Sequence, residues 1–274
     1  AKSRRATTCA MTDSAISPAV TAPMSSPTGA ARPRPGGAFA FRGPRITYAP
    51  ETKGHPMIYG SGSEWLGTGA KRVVLFGMSG LGKTYLANML RDAGDWFHYS
   101  VDYRIGTRYM GELIADEFKR HAMKLPLLRE LLLTDSVRIE SNITFHNLAP
   151  LSTYLGKPGN PSRGGLAFDE YKKRQNQHRT AEIAAMADSG HFIERARALY
   201  GYGNFVCDTS GSICEVVDPD NPADPLLERL SALMLPIWIR GTEAHTAELV
   251  RRFDAATKPM YYQPRFLDDA WAAY

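Results

Sequence analysis

Eight consecutive residues, Gly77-Met78-Ser79-Gly80-Leu81-Gly82-Lys83-Thr84, restrict what this chain can fold into more than any other stretch. They match G-x-x-x-x-G-K-[ST] in full, and their flanks fit the pattern. Lys71–Phe76 is a short apolar, β-branched run, and Thr84–Arg91 carries Leu86, Met89 and Leu90 at helical spacing. Glycines let such a loop wrap back so that several backbone N–H groups converge at a helix N-terminus, where the macrodipole also favours negative charge. Gly77, Ser79, Gly80, Leu81, Gly82, Lys83, Thr84 and Tyr85 are therefore expected to cradle the phosphates of ATP or GTP. Lys83 would bridge the β- and γ-phosphates, and the Thr84 hydroxyl would be a ligand of Mg²⁺. A glycine-rich turn bearing a surface lysine is the alternative.

Further strands are expected at Trp96–Val101, ending at Phe205–Cys207, and at Pro236–Arg240. Helices are expected over most of 105–200, at Pro225–Met234 and at Glu243–Phe253, with a loop at Thr144–Gly165, where Pro150, Pro158 and Pro161 fall. Strands alternating with helices predict an α/β fold whose parallel sheet is covered on both faces.

Two acids close expected strands. Asp102 lies in YSVDYRIGTR, and strand ends on this side of an open α/β sheet face the ligand crevice. A carboxylate there can orient an acceptor hydroxyl and take its proton, while Arg104 and Arg108 hold an anionic substrate or transition-state charge. A helix N-cap followed by solvated arginines is the other explanation. Asp208 ends FVCD and is the expected partner of a phosphate loop, holding a water on magnesium, although strands also end in Asp for turn geometry. Ser210 and Gly211 would set backbone amides beside the acceptor.

In this order, GMSGLGKT, Asp102, FVCDTSGS and PIWIRGTEAHTAELVRRFDAATKP resemble the shikimate-kinase-like branch of small P-loop kinases, within the wider nucleoside monophosphate kinase fold. The resemblance covers about residues 70–110 and 203–260. It implies a three-layer P-loop NTPase fold with a five-stranded parallel sheet, ATP with Mg²⁺ on the loop, and γ-phosphoryl transfer to a small hydroxylated acceptor. Lys83, Asp102 and Arg104 would be the catalytic groups, and Thr84 and Asp208 would serve the metal. The chain departs from the family at Ser100, where a second acid is usual, and at Lys258, where an arginine is usual. Arg251 and Arg252 sit on the expected helix instead of a lid. Only sixteen residues follow Lys258, too few for the final strand and helix, which leaves about four strands. The middle region is much longer than in shikimate kinase.

The net charge of +5 belongs to one end of the chain. Residues 1–50 hold Lys2, Arg4, Arg5, Arg32, Arg34, Arg42 and Arg45 against Asp13 alone, net +6, so residues 51–274 sum to −1. A nearly neutral body gives no electrostatic reason to expect nucleic acid. The first fifty residues also carry seven of the eighteen prolines and no periodicity, so residues 1–56 read as an extended arm ahead of a kinase-like domain at 57–274. Such an arm resembles the remnant of an organellar targeting region, or else it is a low-complexity linker. Its ordering would require protein partners, which points to a subunit of a larger assembly. The expected location is the mitochondrial matrix side, with the cytoplasm as the alternative. The longest apolar runs are too short to span a membrane, and three cysteines cannot build a dense disulfide framework.

The seven histidines have no paired metal spacing and read as ordinary surface or core residues. Asp169–Arg179 reads as a solvated helix face, Cys207 as a small buried strand residue, and the aromatic C-terminus (Tyr261, Tyr262, Phe266, Trp271, Tyr274) as folding back on the core or filling a partner groove. Two functions follow: a small-molecule kinase, or a catalytically silent kinase-like accessory subunit of a large mitochondrial complex that holds a structural nucleotide.

Overall fold

The structure is a computed structural model that describes residues 56–273 except 219 and 222. The arm predicted for residues 1–56 therefore lies outside the described residues, apart from its last one. The first half of the domain runs α1 (Gly62–Gly67), β1 (Arg72–Phe76), α2 (Lys83–Asp92), β2 (Trp96–Ser100), α3 (Val101–Arg104), a π-helical turn (Ile105–Met110), α4 (Gly111–Ala122), α5 (Pro126–Leu133) and α6 (Ala149–Leu155). The second half runs α7 (Phe168–Ala187), α8 (Ser189–Tyr200), β3 (Asn204–Asp208), α9 (Ile213–Val216), α10 (Pro225–Leu233), β4 (Leu235–Trp238), α11 (Glu243–Ala255) and α12 (Pro264–Ala273).

The strands form one parallel sheet in the order β2-β3-β1-β4. Parallel neighbours need long crossovers, which the helices supply, and alternate strand residues feed two cores. Val73 and Leu75 of β1 pack with Ala87 of α2, Trp96 and Val206 on one face. Val74 packs on the other with Tyr99, Phe205, Cys207, the helical residues Ala185 and Ile193, and Met234 just after α10. The chain leaves β1 for β2 and β3 on one side and returns as β4 on the other. The C-terminal end of β1 thus lies where the winding changes direction, the usual place for a crevice in such sheets. Among the described residues the sheet has four strands, not the five that the family resemblance implies; the segment after Lys258 makes α12 and no strand.

Two expectations are corrected in the inserted region. Thr144–Gly165 is not wholly loop: Pro150 sits in the first turn of α6, where its missing N–H costs nothing, and Leu151, Tyr154 and Leu155 bury that helix. Asp169–Arg179 is not a solvated face. Within α7, Tyr171, Arg174, Gln175 and His178 are buried, because their polar groups find distant partners. Arg174 donates to Glu170 Oε1 at 2.9 Å, Glu117 Oε1 at 2.8 Å and Tyr154 O at 2.8 Å. Gln175 donates to Met260 O and accepts from Tyr262 N. This second pair ties the C-terminal segment to α7; Tyr261 is buried there against His178, and Trp271 stacks on Phe168 at 4.2 Å. Phe266 stays exposed. No helix among the described residues is long and apolar enough to cross a membrane.

Candidate functional site

The loop leaves β1 through Gly77 at φ +147, where an added Cβ would lie 2.6 Å from the carbonyl oxygen of Ile239 just beyond β4. Only glycine lets the backbone pass there. Gly82 takes the N-cap of α2 in a left-handed conformation, and no side chain caps that helix. Met78, Ser79, Gly80, Thr84 and Tyr85 are exposed around it, while Gly77 and Leu81 are half-buried. Lys83 differs: it is only 6% exposed, and its ammonium donates to Gly77 O at 2.8 Å and Met78 O at 3.1 Å. It thereby closes the loop on its own first two carbonyls. Burial lowers its pKa, while the carboxylates of Asp208 and Asp102 pull it back up.

Those two acids come from different strands to the same end of the sheet. Register puts Asp208 level with Leu75 and with Ser100, between the start of the loop and the start of α3. Asp102 stands in the first turn of α3, whose N-cap is Ser100, with its hydroxyl accepting from Tyr103 N. Asp102 is thus not the cap; Ser100 is. Burial drives the Asp102 carboxyl up to about 6; Asp208 adds to the rise and Lys83 opposes it. Nor does Asp208 serve the turn after β3: Thr209 does, its N and Oγ1 both donating to Leu75 O. Asp208 Oδ2 lies 3.7 Å from His98 Nε2, and Oδ1 is buried with no hydrogen-bond partner in the protein.

Arg104 is placed differently from its expected role. Its guanidinium binds Asp188 at the α7–α8 junction, with 2.8 Å from Nε and 2.7 Å from the terminal nitrogen, and lies over the Phe192 ring. Arg251 and Arg252 both bind Glu248 on their own helix. The four groups that do converge are Lys83, Asp102, Asp208 and the loop backbone.

The turn after β3 touches the loop directly. A Cβ on Gly211 would lie 2.6 Å from Ser79 Cβ and 2.9 Å from Ser79 Cα, so the turn and the loop are in backbone contact. Gly211→Ala is expected to push Ser79 outward and weaken nucleotide binding roughly tenfold, with about 1–2 kcal/mol lost in stability. Calorimetric titration and a denaturant melt would check both, and parent-like affinity would show that this contact does not shape the loop.

Two buried polar residues at this site are given no functional role in the sequence-based assignments. Glu182 on α7 is fully buried and accepts hydrogen bonds from the hydroxyls of Ser210 and Ser212. Its only sequence signal is position, a lone acid inside the small-residue run TAEIAAMA. His98 is a lone polar residue in the apolar strand WFHYS, buried with both ring nitrogens unpartnered and edge-on to Phe145 from the inserted region.

Among the described residues no group of three or more His, Cys, Asp and Glu is placed to hold a metal ion. A cation here would have Thr84 and Asp208 as its protein partners and would need phosphate oxygens and waters for the rest, which is how magnesium is usually held beside nucleotides. The uncapped α2, the buried Lys83 and the unpaired Asp208 Oδ1 fit that arrangement. A cavity of about 890 Å³ lies elsewhere, between α4, α5 and residues 135–143. Comparison with protein-family models, with curated proteins and with solved structures finds no match to this chain.

Proposed function

We propose that this chain has a P-loop NTPase fold of the small-molecule kinase type, binds ATP or GTP with magnesium at Gly77–Thr84, and transfers the terminal phosphoryl group to a hydroxylated small molecule. The observation that carries the proposal is the convergence of the buried Lys83 with Asp102 and Asp208 at the C-terminal ends of β1, β2 and β3, beside a helix N-terminus that no side chain caps.

Each group has a defined task. Loop amides and Lys83 grip the phosphates, and Lys83 exchanges two neutral carbonyl acceptors for charged oxygens, a stronger pairing. Asp102 orients the acceptor hydroxyl. As the acceptor oxygen bonds to the γ-phosphorus, the bond to the β,γ-bridging oxygen breaks, the electron pair leaves with the diphosphate, and the hydroxyl proton passes to Asp102. A carboxyl raised to about 6 is ionised at neutral pH and more basic than an ordinary aspartate, as a general base requires. Thr84 and Asp208 would hold magnesium, which when bound would supply charge neutralisation on the phosphate oxygens.

One observation favours the silent, nucleotide-holding accessory subunit instead: Arg104, Arg251 and Arg252 are all engaged by Asp188 or Glu248, so transition-state charge has fewer stabilisers. Incubating the full chain with Mg·ATP and a panel of hydroxylated metabolites, with ADP as the readout, separates the two. Steady ADP production stimulated by one acceptor is the expected result. Retained, unhydrolysed nucleotide with every acceptor would exclude the kinase and leave the structural role.

A further inference from the structure

Glu182 is the one carboxylate among the described residues that is wholly removed from solvent, and it projects from the C-terminal half of α7. Its oxygens are divided between two hydroxyls: Oε1 accepts from Ser210 Oγ, and Oε2 accepts from Ser212 Oγ at 2.8 Å. The residue between those serines is Gly211, whose backbone rests on Ser79. Next to the carboxylate are His178, with Nδ1 3.6 Å from Oε2 and stacked on Tyr261, and the acids Asp102 and Glu215.

We propose that Glu182 is a positioning residue for the nucleotide cradle: by holding Ser210 and Ser212 it fixes the turn on which Ser79 rests, and so sets the shape of the phosphate loop from the opposite side of the sheet. The geometry leaves little slack. The turn is pinned at both ends, by Thr209 to Leu75 O and by the serines to Glu182, and its glycine has no side chain to cushion the contact with Ser79. Burial pushes the Glu182 carboxyl up to about 8 and His178 down to about 4. A glutamine keeps one oxygen to accept from one serine and offers the other serine oxygen an amide N–H at the same reach. This role rests on the nucleotide reading above for its consequence, but the clamp exists in the nucleotide-free protein and can be tested there.

The experiment compares the full-length parent with Glu182→Ala, Glu182→Gln and the double variant Ser210→Ala/Ser212→Ala by amide hydrogen exchange without nucleotide and by titration with Mg·ATP. Expected in the alanine variants is at least tenfold faster exchange across residues 77–82, with Trp96–Ser100 of β2 unchanged, and at least tenfold weaker Mg·ATP binding. Glu182→Gln is expected to recover most of both losses. Should Glu182→Ala fail to fold, the serine pair removes the same two bonds and carries the same readings. Loop exchange equal to that of the parent, or accelerated only in step with β2, would overturn the clamp. A parent that shows the exchange pattern and yet binds no nucleotide would uphold the clamp and reject the proposed ligand.

Discussion

Replacing Lys83 by alanine is expected to weaken binding of Mg·ATP at least 100-fold, about 2.7 kcal/mol, while leaving the nucleotide-free protein folded. Lys83 is the one buried ammonium of the site, and in the free protein its three protons serve only two loop carbonyls, Gly77 O and Met78 O. Those carbonyls lie by an exposed loop and turn to water when the lysine is gone, so stability changes little. A triphosphate has no such substitute, because a charged donor held close to it without its own hydration shell is worth more than a solvated one. Burial already lowers the Lys83 pKa, so an anionic ligand offsets part of the desolvation cost that the fold imposes on its charge. Thermal melts with and without nucleotide provide the check: the parent gains several degrees on adding Mg·ATP, and the variant gains none.

Asp102→Asn is expected to move activity and stability in opposite directions. As the proposed base, Asp102 would be worth roughly 10³-fold in turnover, and asparagine cannot take the proton. Stability responds with the other sign. Folding raises the Asp102 carboxyl from the ordinary 3.8 to about 6, so between those values the folded state binds more protons than the unfolded chain, and stability falls as pH rises through that window. Above pH 6 the ionised carboxylate is held out of water and beside Asp208 at a cost on the order of 3 kcal/mol, which asparagine removes. The variant should therefore melt a few degrees higher than the parent at pH 7.5 and hardly differ near pH 4. For the same reason parent turnover should fall as pH drops below about 6. A variant that turns over at the parental rate would remove Asp102 from the chemistry, and an unchanged melting temperature at pH 7.5 would show that its charge is not strained.

Local features of this fold were legible because their causes are local. The run RVVLF, the glycines of the loop and the 3.6-residue spacing after Lys83 fix β1, the turn and α2 within a few residues of one another, and the structure has them at Arg72–Phe76 and Lys83–Asp92. Asp102 and Asp208 could be placed because strand ends in a parallel sheet share one edge. Arg104 could not, since what decides its direction is Asp188, 84 residues later. Helix α7 was misjudged for the same reason. Its polar residues read as a wet surface, whereas Arg174 reaches Glu117, 57 residues back, and Gln175 reaches Met260, 85 residues on. A polar side chain is buried or solvated according to partners that periodicity does not encode, and Glu182 is the extreme case.

Titration of the folded full-length chain with Mg·ATP, and in parallel with adenosine, tests the phosphate cradle most directly. Saturable heat with the triphosphate, lost in Lys83→Ala and absent with adenosine, is the predicted outcome. A parent that melts cooperatively but gives no saturable heat with Mg·ATP or Mg·GTP would contradict it.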